Sequence, residues 1–329
     1  MCLVCKSQVR PDASRAAGRL NEASKTSAKL PAGPGVILGC IDIGSNTTRL
    51  LVAEASHGKL RELTAERVFT CIRKSLDDLG RMPPDKIAET VGVVRAQVHA
   101  ARALGAGEIV AVATAAIRDA PNRGELEQGI QDACGVPLRV ISGQEEARLS
   151  FVGATRTFQE PAAGTIAVVD VGGGSTEIAV GAAGHGVRWW RSLPIGSGVL
   201  ADRHLRSDPP APREVEAVRR QVAAAFEGLA APAVRGALAV GGTATSLARV
   251  IGSALDHSTL ERAVELLSET PIAELAGRLD LDPERVRLLP AGIIVLQAVS
   301  ERIGPLEIAC GGLREGVILE LAERAAQRS

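Results

Sequence analysis

The feature that most constrains this chain is one short pattern that occurs at two widely separated places. The stretches "DIGSNTT" and "DVGGGST" align without gaps, from Asp42 to Thr48 and from Asp170 to Thr176. Apolar runs flank both copies, which indicates a strand, a tight turn and a second strand in each. Because the two acids occupy the same place in each copy, 128 residues apart, the sequence predicts two lobes built on one plan.

The order of the predicted elements supports this division. Residues 35–148 alternate three strands, a helix, a strand, a helix and a strand, and the same opening recurs within residues 149–329. Such an order is typical of a mixed sheet with helices packed on its faces. We therefore predict an α/β protein with two similar lobes, each containing a five-stranded mixed sheet, and a cleft between the lobes. The 329 residues fit two domains of ordinary size, roughly 100–200 residues each.

The composition excludes several kinds of partner. Aromatic residues make up only 2% of the chain and Tyr is absent, so stacking platforms for nucleic-acid bases are not expected. No apolar run approaches the roughly 18 residues that a membrane span requires. The N-terminus lacks the hydrophobic segment of a secretion signal, and the six cysteines form no disulfide-like framework. We expect a soluble, cytoplasmic protein with neither nucleic acid nor membrane as a partner.

The first 34 residues differ from the rest of the chain. They carry a net charge of +4, are rich in Ala, Ser and Pro, and lack a clear hydrophobic period. This composition predicts a disordered basic extension. Two alternatives stay open, an upstream start codon and a basic tail that contacts a polyanion.

The residues of the two turns suit an anionic ligand. Glycines allow successive backbone N–H groups to converge on an anion without clashes from Cβ atoms, and the neighbouring hydroxyl groups add donors. An ordinary glycine-rich turn would explain either copy alone, but two matched copies favour a phosphate site. The candidate phosphate-binding residues in the turns are Gly44, Ser45, Asn46, Thr47, Gly172, Gly173, Gly174, Ser175 and Thr176.

The two acids need a different explanation, because a carboxylate repels a phosphate. Asp42 and Asp170 suit a divalent cation or its bound waters, placed between acid and phosphate. Mg²⁺ prefers such an arrangement, with few carboxylates and several retained waters. We therefore expect Mg²⁺, with Mn²⁺ as an alternative, at these two acids.

These turns resemble the first and second phosphate motifs of the actin/sugar-kinase/heat-shock-ATPase superfamily. The stretch "VGGTATSLARV", residues 240–250, looks like its third glycine motif, which contacts adenosine in the kinases. Five stretches together are similar to the exopolyphosphatase / guanosine pentaphosphate phosphatase family, and they occur in family order over about residues 36–320: "IDIGSNTTRLLV", "ATAAIRDAPN", "ISGQEEARLSFVGA", "VVDVGGGSTEIAVG" and "GGLREGVILE".

The resemblance implies a short, two-domain member with ribonuclease-H-like (actin-like ATPase) lobes and a last helix that packs back on the first lobe. It implies Mg²⁺-dependent hydrolysis of the terminal phosphate of inorganic polyphosphate by a homodimer. Three alternatives stay open. They are a guanosine pentaphosphate 5′-phosphohydrolase, a sugar or acid kinase of the superfamily, and a non-catalytic binder of polyphosphate or guanosine tetraphosphate.

A hydrolase needs a base for the attacking water, and "ISGQEEARL" offers Glu145 and Glu146 at the start of a predicted helix. Ser142 and Glu145 have the spacing of a capping box, which gives Glu145 a structural role but leaves Glu146 unexplained. The family's catalytic glutamate falls on Glu146. The resemblance therefore implies that Glu146 acts as the general base.

Three further charged positions belong to the predicted site. Arg118 follows a strand of the first lobe, where a guanidinium would bind phosphate, or it pairs with Asp119 on the surface. Glu177 adjoins the second turn as a further metal or water ligand, or as a solvated strand charge. Arg314 with Glu315 opens the last helix, which suits an anion and equally an interdomain salt bridge.

One segment departs from the family pattern. Residues 71–75, "CIRKS", replace the Arg-Leu-Gly run that is usual there. The corresponding loop borders the cleft in relatives, so this departure leaves the substrate preference open.

Overall fold

The computed structural model describes residues 35–158, 164–251 and 254–328. The N-terminal extension that we predicted to be disordered lies outside the described residues. Within them, no helix is both long enough and apolar enough to cross a membrane.

The first sheet has five strands in the order β3-β2-β1-β4-β5. The strands β1, β2 and β3 pair antiparallel, whereas β1, β4 and β5 pair parallel. This is the mixed sheet that the sequence predicts. The strands are β1 (Val36–Ile43), β2 (Thr48–Ser56), β3 (Lys59–Val68), β4 (Glu108–Ala113) and β5 (Leu138–Val140).

The second sheet repeats this plan in the order β10-β11-β9-β6-β7-β8. The strands β6, β7 and β8 pair antiparallel, and β6, β9 and β11 pair parallel. The two mixed sheets confirm the predicted fold, and the second sheet carries an additional edge strand, β10, of only two residues. The strands are β6 (Thr165–Val171), β7 (Thr176–Ala182), β8 (Gly186–Leu193), β9 (Gly236–Val240), β10 (Ala254–Leu255) and β11 (Leu306–Ile308).

Twelve helices pack around the sheets in the described residues. The helices that precede β6 in the chain are α1 (Ile72–Ser75), α2 (Pro84–Ala103), α3 (Ala115–Arg118), α4 (Arg123–Cys134) and α5 (Gly143–Thr157). Those that follow are α6 (Ser197–His204), α7 (Pro212–Ala225), α8 (Gly241–Ile251), α9 (His257–Glu269), α10 (Ile272–Leu279), α11 (Pro283–Ile303) and α12 (Leu313–Arg328).

Four helices were not predicted, the four-residue α1 and α3 and two longer ones, and one helix begins earlier than expected. The pattern of the sequence did not indicate α6 or α10, which are eight residues each. From the stretch "PAGIIVLQAVSERIG" the sequence predicts a helix that starts at Pro290. This start is wrong, because α11 begins at Pro283 and contains Pro290. Asp282 provides the cap, since its side chain accepts a hydrogen bond of 2.8 Å from the amide of Glu284.

The cores are almost entirely aliphatic, as the low aromatic content requires. The apolar side of α11 lies at the centre of the second lobe, where Ile293, Val295 and Leu296 are buried together with residues of β6, β7 and β9. The last helix, α12, packs against α5 and buries Val317 and Ile318 on β1 and β2 of the first sheet. The chain thus returns to the first lobe at its end, so α5 and α12 bring the two sheets into one structure.

Candidate active site

The two repeated turns close with the same backbone geometry. In the first turn the amide of Gly44 donates to the carbonyl of Thr47 at 2.9 Å, and in the second the amide of Gly172 donates to the carbonyl of Ser175 at 3.0 Å. Both turns lie at the carboxyl ends of their first strands, β1 and β6, and both line one cleft that is open to solvent. The alignment seen in the sequence is therefore a structural repeat.

The two turns also touch each other. A Cβ atom at Gly173 would lie 2.8 Å from Nδ2 of Asn46, and one at Gly174 would meet Oγ of Ser45. The glycines of the second turn thus leave room for the first turn's side chains, besides exposing their own backbone. Ser45, Asn46 and Ser175 are buried at this contact, which forms the floor of the cleft.

The cross-strand partners of the two turn acids differ in charge. On the first hairpin, Asp42 lies directly across from Arg49, whereas on the second hairpin Asp170 lies across from Glu177. Cross-strand neighbours on one face interact directly. The first hairpin therefore balances its acid, and the second adds another acid to it.

The acidic side of the cleft gains a third carboxylate from α5. Glu146 is buried in the first turn of that helix. Among the described residues, one oxygen each of Asp42, Glu146 and Glu177 is buried without a hydrogen-bond partner. The other oxygen of Glu177 accepts a hydrogen bond of 2.7 Å from the hydroxyl of Ser192, and Asp170 accepts one of 2.9 Å from the hydroxyl of Ser150.

Burial and mutual repulsion raise the pKa values of these carboxyl groups. Burial raises the pKa of Asp42 to about 6, although Arg49 opposes the change. Burial and then Asp170 raise the pKa of Glu177 to about 7. Burial, followed by the charges of Glu177 and Asp170, raises the pKa of Glu146 well above its ordinary value, so this side of the cleft favours protons or a cation.

The neighbouring glutamates of α5 have separate surroundings. Ser142 caps the helix by accepting 3.2 Å from the amide of Glu145. The carboxylate of Glu145 does not complete the predicted box but pairs with Arg139. Glu146, in contrast, lines the cleft. The two adjacent glutamates thus have different surroundings, an arginine for Glu145 and the cleft for Glu146.

Arg118 lies at the end of α3, beside Glu146. Its Nη1 is 3.5 Å from Oε2 of Glu146 and donates to the carbonyl of Ile141 at 3.1 Å. Its Nε is also 3.5 Å from Asp119, so Arg118 lies between a cleft-lining acid, Glu146, and the neighbouring surface acid. Its phosphate contact stays a prediction.

Thr176 and Glu177 require corrections. The hydroxyl of Thr176 is fully buried and donates to the carbonyl of Ile195 at 2.6 Å, so it offers no donor to the cleft. Glu177 is also buried. Glu177 lies behind the acids that line the cleft. The alternative, a solvated charge on the strand, is wrong because the side chain is buried.

Sequence reasoning missed two arginines that line the cleft, Arg285, which is buried, and Arg49, which is half-buried. Burial, reinforced by Arg314, lowers the pKa of Arg49 to about 10. Burial, reinforced by Arg49 and Arg67, lowers the pKa of Arg285 to about 9, and its Nε has no hydrogen-bond partner among the described residues. Crowded, desolvated cations of this kind favour an anion. In the sequence, the only indication of this pair of arginines was the position of Arg49, directly after the first repeated pattern.

The last helix joins the same cleft. Arg314 donates to the carbonyl of Leu50 at 3.0 Å, and Glu315 accepts 2.8 Å from the amide of Gly312, which caps α12. The distance between Arg314 and Glu315 is 3.9 Å. Both side chains line the cleft, and Arg314 adds a third cation to Arg49 and Arg285.

The donor set defines which metal site the cleft could form. No group of three His, Cys, Asp or Glu side chains in the described part of the chain lies close enough to ligate one ion. Asp42, Glu146 and Asp170 nevertheless line one open cleft. This arrangement suits an ion that takes one or two carboxylates and keeps its waters, as Mg²⁺ does, and does not suit a closed protein cage.

Comparison with known proteins identifies the family. The model of the Ppx/GppA phosphatase family matches residues 51–325. The chain belongs to this family. The predicted enzyme class, a hydrolase of phosphoric anhydride bonds, is confirmed at that level.

Individual relatives agree with the assignment. The chain is 31% identical to exopolyphosphatase 2 of Mycobacterium tuberculosis over 323 residues, covering 87% of this chain and 98% of that one. It is 29% identical to exopolyphosphatase 1 of the same organism over 311 residues, covering 88% and 89%. The crystal structure of the Aquifex aeolicus Ppx/GppA family member is 28% identical, with a TM-score of 0.76 and coverage of 89% and 99%.

Proposed function

We propose that this protein is an exopolyphosphatase that hydrolyses the terminal phosphate of inorganic polyphosphate and releases orthophosphate. The observation that carries the proposal is the buried carboxylate of Glu146, one oxygen of which has no hydrogen-bond partner among the described residues, beside two phosphate-type turns in one cleft. The relatives named exopolyphosphatase, aligned over most of this chain, support the same substrate.

The turns and the arginines would hold the substrate. The amides of Gly173 and Gly174 and the hydroxyls of Ser45 and Ser175 would bind the terminal phosphate, because all four residues line the cleft floor. Arg49, Arg285 and Arg314 would bind the next phosphates along the chain. A guanidinium presents paired donors that match phosphate oxygens. Because the three arginines repel one another, a bound polyanion would stabilise them.

Glu146 would orient the attacking water and accept its proton. A general base works best when its pKa lies near the working pH, and burial beside other acids raises the pKa of Glu146. Arg118, 3.5 Å away, would hold the carboxylate in place and limit that rise. Phosphoryl transfer needs mainly positioning and charge stabilisation, and these residues supply both.

We propose Mg²⁺ as the cofactor, with Asp42 and Asp170 as its protein ligands, directly or through water, and with Glu177 behind them. The ion would offset the charge of substrate and leaving group. The unpartnered oxygen of Asp42 and the raised pKa values of the acids support this choice. Mn²⁺ would fit the same oxygen ligands.

The kinase alternative is disfavoured by the third glycine motif. A Cβ atom at Gly242 would lie 2.7 Å from Nη1 and Nη2 of Arg285, so a guanidinium covers the glycine of this motif. The carboxylate of Asp170 approaches Gly241 from the other side. Charged groups therefore surround the position expected for adenosine.

The deciding experiment measures phosphate release with Mg²⁺ from polyphosphates of several lengths and, in parallel, from guanosine pentaphosphate. We expect release from polyphosphate to be the faster. Preferential release from guanosine pentaphosphate would replace the proposed substrate. Transfer of phosphate from ATP to a sugar panel would exclude the hydrolase assignment. A cytoplasmic homodimer is part of this proposal, and the oligomeric state is measured by light scattering.

A further inference from the structure

The atypical segment at residues 71–75 forms the short helix α1, and its backbone is tied to the first turn. The amide of Cys71 donates to the carbonyl of Asn46 at 3.0 Å, and the amide of Arg73 donates to the carbonyl of Ser45 at 3.0 Å. Movement of α1 would therefore move the first turn.

A second helix has the same relation to the second turn. At the start of α6, the amide of Ser197 donates to the carbonyl of Gly172 at 2.9 Å, and the amides of Gly198 and Val199 donate to the carbonyl of Gly173 at 3.0 Å. Each turn is thus braced through its carbonyl groups by the helix that packs on it.

Four charged side chains join these two helices. Lys74 of α1 lies 2.5 Å from Glu284 of α11 and 3.7 Å from Asp202 of α6. Arg287 of α11 lies 2.6 Å from Asp202 and 2.8 Å from Glu284. We call Lys74, Asp202, Glu284 and Arg287 the clamp. Two cations and two acids balance, and Lys74 is the member contributed by the first lobe.

The clamp is more than an isolated surface pair. Its side chains are 22–35% exposed, and several charges that share partners hold their geometry better than one exposed pair. Burial would raise the pKa of Glu284, but hydrogen bonds from Arg287 and Lys74 outweigh burial and hold the pKa below its ordinary value. Without Lys74, one cation would face two acids.

We propose that Lys74 is a positioning residue, which fixes the separation of the two phosphate turns by joining α1 to α6 and α11 through the clamp. Its effect on turnover rests on the proposed function, whereas its effect on the turns does not. The segment in which this chain departs from the family pattern thereby has a defined task at the cleft.

The test uses the full-length chain and three variants. Lys74→Met removes the charge but keeps most of the side-chain bulk, and Lys74→Arg keeps the charge. Lys59→Met, the matched control, removes the same charge from an exposed position at the start of β3. Initial rates on polyphosphate give kcat and KM, and hydrogen exchange by mass spectrometry reports the amides of residues 71–73 and 197–199.

We expect Lys74→Met to lower kcat about 3- to 30-fold with KM within about twofold, because misplaced groups cost turnover more than binding. Exchange should become faster at both amide groups, and Lys74→Arg should restore most of both properties. Should Lys74→Met fold poorly, Asp202→Asn weakens the same clamp, and we expect it to accelerate exchange at residues 197–199.

Three outcomes would overturn the proposal. They are wild-type kcat in Lys74→Met, slower turnover with unchanged exchange, and an equal effect of Lys59→Met. If the wild-type protein releases no phosphate from polyphosphate, the proposed function fails. The exchange data alone then test the positioning role of Lys74. Faster exchange in Lys74→Met supports that role, and unchanged exchange excludes it.

Discussion

The first turn, Gly44–Thr47, and the second, Gly172–Ser175, share one backbone closure but differ in the electrostatics around their acids. Asp42 faces Arg49 across its hairpin, while Asp170 faces Glu177 and lies in the same cleft as Glu146. A repeated backbone thus supports two tasks. Asp42 shares its hairpin with a cation and Asp170 shares its hairpin with a second acid, so we expect the proposed Mg²⁺ to depend more on Asp170 than on Asp42.

Replacement of the two matched acids should give the largest difference between the hairpins. We expect Asp170→Asn to lower kcat on polyphosphate by about 10²-fold and to raise the Mg²⁺ concentration for half-maximal rate, because Asp170 lies opposite another acid. Asp42→Asn should lower kcat by about tenfold, since Arg49 remains to bind phosphate. A Mg²⁺ titration of both variants measures this, with Asp132→Asn as an exposed control.

Equal losses of kcat in the two variants would contradict the proposed difference between the hairpins. They would show that the acids act as one symmetric pair and that their cross-strand partners are irrelevant to the reaction. A larger loss in Asp42→Asn would reverse the assignment of the two hairpins.

A smaller difference should appear in the stability of the metal-free protein. Burial and Asp170 raise the pKa of Glu177 to about 7 in the folded state, so the unfolded chain loses this proton at lower pH than the folded chain does. Stability is then unaffected by this group at low pH and falls as the pH rises from about 4.5 to about 7. The loss from Glu177 is at most on the order of 3 kcal/mol.

Urea unfolding at pH 5 and pH 8, with and without Mg²⁺, measures this dependence. Glu177→Gln should reduce the loss between the two pH values, and Mg²⁺ should restore stability at pH 8 in the wild type. Glu66→Gln, at an exposed position on β3, is the control. A wild-type protein more stable at pH 8 than at pH 5 without metal would contradict this account.

The sequence predicts much of this architecture because its signals are local. The paired hairpins follow from apolar runs on either side of glycine-rich turns, and the start of α5 follows from the cap that uses Ser142 and the amide of Glu145. The spacing of apolar residues predicts α2 and α7 close to their observed bounds. These features depend on residues that are near each other in the chain.

Other features depend on tertiary packing and were not predicted. The burial of Arg285 over Gly242 joins residues of α11 and α8, and no local pattern marks Arg285 as part of a site. Thr176 looked like a phosphate ligand, but the return of the chain brings the carbonyl of Ile195 to its hydroxyl. The contact between Asn46 and Gly173 likewise exists only once both lobes have folded.

The most direct test of the central claim compares the two adjacent glutamates of α5. Glu146→Gln removes the proposed base, and Glu145→Gln, its neighbour paired with Arg139, is the matched control. We predict that Glu146→Gln releases phosphate from polyphosphate about 10²–10⁴-fold more slowly than wild type while still binding polyphosphate, and that Glu145→Gln stays near the wild-type rate. Unchanged phosphate release from Glu146→Gln would contradict the assignment.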